Sequence, residues 1–186
     1  MILIMMTSRS GSSLVASIFA AHGYAHGDCF SRQFDYHTFE SADVKRLTWE
    51  MNENGLHRRG QFCEYYPGAR EIAATGISLI KVGVEYYRVF KPLGWHTVAV
   101  RRNPENIIKS VMEKNPGVLQ EVRDLTYRRM AMLDHVVHDS GGANIDADQI
   151  MAGDFSGVRA AFGHFGLLFD EAAARRCVKP EKWHHR

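Results

Sequence analysis

Two short segments carry residue types suited to holding an anion. In Thr7-Ser8-Arg9-Ser10-Gly11-Ser12-Ser13-Leu14, small side chains let backbone N–H groups approach a negative group. A helix starting there would add partial positive charge. Arg9 contributes a full charge and a planar fork, and Ser12 and Ser13 contribute hydroxyls. No lysine follows Gly11, so the Walker A pattern GxxxxGK[ST] is absent. The same residues also suit an ordinary strand-to-helix turn capped by Ser or Thr. The second segment runs from Val100-Arg101-Arg102-Asn103-Pro104 to Ser110. Eight residues separate Arg102 from Ser110, about 12 Å of helical rise. An arginine lying along the helix could share one phosphate with that serine, the fork binding bidentately. The alternative is a surface arginine and a mid-helix serine bonded to its own backbone.

These segments need elements to position them. Ile2 to Met6 is a short apolar run, as expected of a strand buried on both faces. Leu14, Val15, Ile18, Phe19 and Ala21 then recur at helical spacing up to Gly23. Asp35 to Asn54 suits a helix with Phe39, Val44, Leu47 and Met51 inward, and Gly60 to Pro67 an ordered loop carrying aromatics. Ile77 to Val82 reads as a strand with Lys81 near its end, Glu85 to Leu93 as a short helix, and Thr97 to Val100 as a strand. Pro104 opens a helix with Ile107, Ile108, Val111 and Met112 as its apolar stripe. A longer helix covers Leu119 to Val137, and Arg123, Arg128 and Arg129 give it a solvated basic face. Ala143 to Ile145 suits a last strand and Phe155 to Phe165 a helix. Strand and helix alternating in this way predict an α/β fold with a mainly parallel sheet covered on both faces. Ligands of such sheets bind beyond the carboxyl ends of the strands, so the loops after Met6, Lys81 and Val100 should share one rim.

Composition sets the bounds. The 186 residues, 45% apolar and without repeats or a linker, suit a single domain over residues 1–186. A net charge of +2 gives no argument for a nucleic-acid partner. Three scattered cysteines without CxxC spacing argue against a cysteine zinc site and for a reducing, cytoplasmic setting. The apolar start is too short to span a membrane. No HExxH pattern marks a metal site among the ten histidines.

The Arg-Ser-Gly-Ser-Ser segment at 9–13 resembles the 5′-phosphosulfate loop of the sulfotransferases, in the form carried by carbohydrate-acting and small bacterial members. Val100 to Ser110 is similar to that family's 3′-phosphate motif. Glu64 after Gly60-Gln61-Phe62, Lys81 at a strand end, and Asn144 to Leu168 fit the family's layout. The resemblance implies a three-layer α/β/α fold of the P-loop NTPase-like type and a donor, 3′-phosphoadenosine-5′-phosphosulfate (PAPS), with no metal required. It implies transfer of a sulfuryl group to a hydroxyl or amine of a small-molecule or carbohydrate acceptor. In that reading Arg9, with Ser10, Gly11, Ser12 and Ser13, faces the leaving oxygen, and Arg102 and Ser110 hold the 3′-phosphate. Lys81 reaches the sulfonate or else is a snorkelling lysine at the sheet rim. Glu64 leads as proton acceptor, with pairing to Arg58, Arg59 or Arg70 as the alternative, and His26, His37 and His57 are its rivals. Trp183 and Arg186 of the basic tail could meet the donor, although a frayed end is the expectation. A P-loop kinase using ATP and Mg, and a non-catalytic nucleotide-binding domain, are the competing readings. Neither the acceptor nor the oligomeric state is readable from the sequence.

Overall fold

The computed structural model describes residues 1–27, 39, 41–64, 66–114 and 117–179, with 30–31 and 36–37 as main chain. Its sheet begins with β1 (Ile2–Met6), whose five apolar residues are almost wholly buried. Helix α1 (Ser12–Ala21) follows. Two two-residue strands, β2 (Phe30–Ser31) and β3 (Tyr36–His37), pair antiparallel as a separate ribbon. Next come α2 (Ala42–Glu53), α3 (Ala69–Ala74) and β4 (Leu79–Gly83). Glu85 to Leu93, expected as one helix, is a 3₁₀ turn, a single α-turn α4 (Tyr87–Phe90) and a second 3₁₀ turn. Then follow β5 (His96–Arg101), α5 (Pro104–Lys114), α6 (Leu119–Ser140), β6 (Ala143–Asp146), α7 (Ala147–Met151), α8 (Ser156–His164) and α9 (Glu171–Cys177).

The larger sheet is parallel throughout, in the order β4-β1-β5-β6. Alternation along β1 assigns its two faces. Ile2 and Ile4 pack with Val15, Ile18 and Phe19 of α1 and with Ile150, Val158, Phe162 and Ala174 of α7, α8 and α9. Leu3 and Met5 pack with Val44, Leu47 and Met51 of α2, Tyr87 and Phe90 of α4, and Leu133 and Val136 of α6. Helices therefore cover both faces, as parallel sheets require. No helix among the described residues is long and apolar enough to cross a membrane.

Several expectations need correction. The helix expected from Asp35 starts only at Ala42, where Ser41 Oγ accepts from Val44 N–H as its N-cap. Phe39 lies outside it, at φ 56°, and packs against the opposite core rather than beside Val44. Val111 and Met112 are only half-buried, and Ser110 is fully buried in the stripe they were expected to form. Arg129 is not on a solvated face, as shown below. The antiparallel ribbon, α3, α7 and α9 were not expected, each being too short to show a period. His37's side chain, Tyr65, Trp183 and Arg186 lie outside the described residues.

The chain leaves β1 toward β4 and leaves β5 toward β6, in opposite directions along the sheet. The divergence makes the loops after β1 and β5 flank a topological switch point, where such sheets have the crevice that holds their ligands.

Candidate active site

At that crevice the two anion-suited segments meet. Arg9 Nε donates to Ser110 Oγ at 2.9 Å, linking the loop after β1 to the middle of α5. Arg102 Nη1 donates to the Arg9 carbonyl at 3.2 Å. One small region of the rim thus gathers Arg9, Arg102 and Ser110, but not in the pairing expected. Ser110 bonds Arg9, whereas Arg102 bonds Asp148 through Nε at 3.1 Å. Asp148 also accepts from Asn103 N–H at 2.9 Å, so one carboxylate fixes both the arginine and the turn after β5. Arg102 is buried and Asp148 is about one-third exposed. The signal for Asp148 was a pair of acids at the junction of β6 and α7, with Asp146 capping α7 through bonds from the N–H groups of Asp148 and Gln149. An open cleft of about 660 Å³, lined by Arg101, Arg102, Asn103, Pro104, Asp146 and Asp148 among others, adjoins them.

The loop itself has an unusual backbone. Arg9 takes φ 64°, a left-handed conformation that costs a non-glycine residue about 1–2 kcal/mol. Gly11, at φ 81°, is the N-cap of α1 and supplies no side-chain cap. The first turn of α1 is therefore left to a different acceptor. Ser12, expected as an open donor, is buried and donates to Met6 Sδ at 3.2 Å. Thr7 Oγ1 and Ser10 Oγ are buried without a hydrogen-bond partner. Two orphaned hydroxyls beside an uncapped helix start fit a loop built around an anion, since such groups are costly to leave unsatisfied.

Lys81 lies on β4, buried, with Nζ donating to Ser13 Oγ at 3.0 Å. It is therefore not a snorkelling rim lysine, because it reaches the start of α1. It also lines a second cavity of about 210 Å³, with Met6, Ser8, Val44, Lys45, Thr48, His57, Val82, Gly83, Glu85, Tyr86 and Arg129. Glu64 is exposed and does not line this cavity. The carboxylate in its wall is Glu85, buried, whose Oε1 accepts from Arg129 Nε at 2.5 Å and from Gly60 N–H at 3.3 Å. The Glu85 carbonyl also accepts from Cys63 N–H at 2.8 Å. One residue thus ties down the 57–64 loop by main chain and side chain together. Gly60 is needed there: at φ 71°, an added Cβ would lie 2.9 Å from the Arg128 side chain.

That loop brings His57 into the cavity, its ring stacked on Tyr86 at 5.2 Å between centroids. Burial lowers the His57 pKa. Glu85 opposes the shift, and Arg129 and Arg59 add to it. A neutral imidazole in the cavity that Lys81 also lines is a competent proton acceptor near neutral pH. His26 lines neither cavity; its Nδ1 is 2.8 Å from the Gly27 carbonyl. Among the described residues no group of three or more His, Cys, Asp or Glu is arranged to hold a metal ion.

No protein-family model matches this chain, and no curated protein matches it.

Proposed function

We propose that the chain is a P-loop-like, PAPS-dependent sulfotransferase acting on a small acceptor. The observation that carries this reading is the Arg102–Arg9–Ser110 linkage at the crevice between β1 and β5. It joins the two segments that the resemblance assigns to opposite ends of one nucleotide. PAPS, when bound, supplies the activated sulfuryl group. The first turn of α1 and the Arg9 guanidinium bind its 5′ end, and Thr7 and Ser10 lend hydroxyls to the same loop. Arg102 and Ser110 bind the 3′-phosphate, for which Asp148 pre-orients the fork through Nε. Lys81 Nζ, reaching Ser13 from below, holds positive charge between the donor loop and the second cavity. An acceptor seated in that cavity gives up its hydroxyl or amine proton to an imidazole nitrogen of His57. This role moves from Glu64 to His57, because only the latter lines the cavity that Lys81 shares.

The test is a calorimetric titration with 3′-phosphoadenosine-5′-phosphate (PAP), without metal, of the parent and Ser110→Ala. Binding by the parent, weakened at least tenfold in the variant (about 1.4 kcal/mol), is the expected result. Absence of PAP binding, with ATP binding that requires Mg, would replace this reading with the kinase class.

A further inference from the structure

Resting on that reading, we infer that the acceptor is a compact hydroxylated anion, a molecule of single-ring size bearing one carboxylate. Size comes first. Cavities for drug-sized ligands start at about 300 Å³, and the cavity below Lys81 measures about 210 Å³. A long lipid or an oligosaccharide would lie mostly outside it.

Charge gives the sign. Among the described lining residues, Lys45, Lys81 and Arg129 are cations and Glu85 is the carboxylate. Glu85 is occupied by Arg129 and the Gly60 N–H and is almost wholly enclosed. His57 is held toward its neutral form by burial. Cations therefore outnumber the carboxylate, and an amine-bearing acceptor would have to enter against them. A carboxylate entering would instead be attracted to these cations at short range.

The arrangement also gives an orientation. Lys81 adjoins the donor loop through Ser13. Lys45 is exposed on α2 and marks the solvent side of the lining, whereas Lys81 is buried. Met6, Val44, Val82 and Tyr86 supply apolar wall. An acceptor with its hydroxyl toward Lys81 and its carboxylate toward Lys45 matches all three parts. Ser8 of the donor loop also lines this cavity but carries no charge. The charge preference is therefore set by the other residues, and donor and acceptor binding are separable by measurement.

The experiment compares three probes of one shape: 4-hydroxybenzoate, 4-hydroxybenzyl alcohol and 4-hydroxybenzylamine. Each is titrated into the full chain by ligand-observed NMR, with and without saturating PAP. The expected order is benzoate tightest, by at least fivefold over the alcohol, with the amine weakest. Lys45→Ala, an exposed change that spares the core, should remove most of the benzoate advantage and leave the alcohol unchanged. Equal or tighter binding of the alcohol or the amine overturns the proposal, as does a benzoate preference that Lys45→Ala leaves intact. PAP binding accompanied by a failed benzoate preference removes only this inference. A benzoate preference in a protein that ignores PAP keeps the anion site and removes the sulfotransferase reading.

Discussion

In the proposed reading the candidate site has a donor end and an acceptor end, and the two are built on different principles. At the donor end, between β1 and β5, the functional side chains are tied to one another: Arg9 to Ser110, and Arg102 to Asp148 and to the Arg9 carbonyl. At the acceptor end, below β4, the Glu85–Arg129 pair and two loop N–H groups fix a frame, and His57 and Lys45 project into the space it leaves. The first end holds its cations against one another. The second is framed by one largely buried ion pair in the cavity wall. Damage at the first should appear as lost nucleotide affinity, and damage at the second as lost turnover with the nucleotide still held.

The sharpest test of this division is Lys81, which touches both ends. Lys81→Met should lower transfer by about 100- to 1000-fold, the usual cost of deleting a preorganised charge donor, while PAP affinity changes less than threefold. Steady-state rates and calorimetry on the same preparation check both halves, and a parallel fall in the two would merge the ends into one unit. His57→Gln should reduce kcat by about 100-fold or more, with Glu64→Gln indistinguishable from the parent. Because burial lowers the His57 pKa, its working neutral form should persist below the ordinary 6.5. The acid limb of kcat/KM should therefore fall at a lower pH than free imidazole titrates, and should vanish in the variant. The same shift has a stability sign. An unfolded chain protonates His57 first on acidification, so its contribution is full above pH about 6.5 and is lost as pH falls toward the folded-state value.

At the donor end, Arg102→Lys keeps the charge and discards the fork. PAP affinity should fall about tenfold, or 1.4 kcal/mol, with kcat at saturating donor little changed. Some stability will go too, because the buried Arg102 bonds Asp148 and the Arg9 carbonyl. The smallest effect expected is chemical. Cys63 is buried and its thiol is pushed up to about 11 by burial and the neighbouring Glu85. It should resist alkylation at pH 8 in the folded chain and react on unfolding, as mass spectrometry would show. Rapid native labelling would mean that the 57–64 loop opens.

The sequence exposed the donor end because its parts are local. A run from Arg9 to Ser13 and a pair eight residues apart can be read as unbroken text, and burial of β1 follows from five apolar residues in a row. The acceptor end is assembled across distance. Glu85 and Arg129 are 44 positions apart, on a 3₁₀ turn and a long helix. Alone, Glu85 looks like the start of a short helix and Arg129 like one of several surface arginines. Nothing local tells Glu64 from Glu85 either: both lie near aromatics, and only the approach of α6 and the 57–64 loop to the turn after β4 decides which carboxylate is enclosed. The Arg102–Asp148 bond escaped notice for the same reason, since it depends on β5 and β6 lying side by side.

The backbone at Arg9 has a practical corollary. Glycine tolerates φ 64° without the steric cost an arginine meets there. Arg9→Gly should exceed Arg9→Ala in melting temperature, while both lose the guanidinium. Laboratory evolution that rewards heat resistance alone would drift toward glycine at this position and discard the guanidinium that the proposed function needs. Any such campaign must screen for the proposed activity in every round.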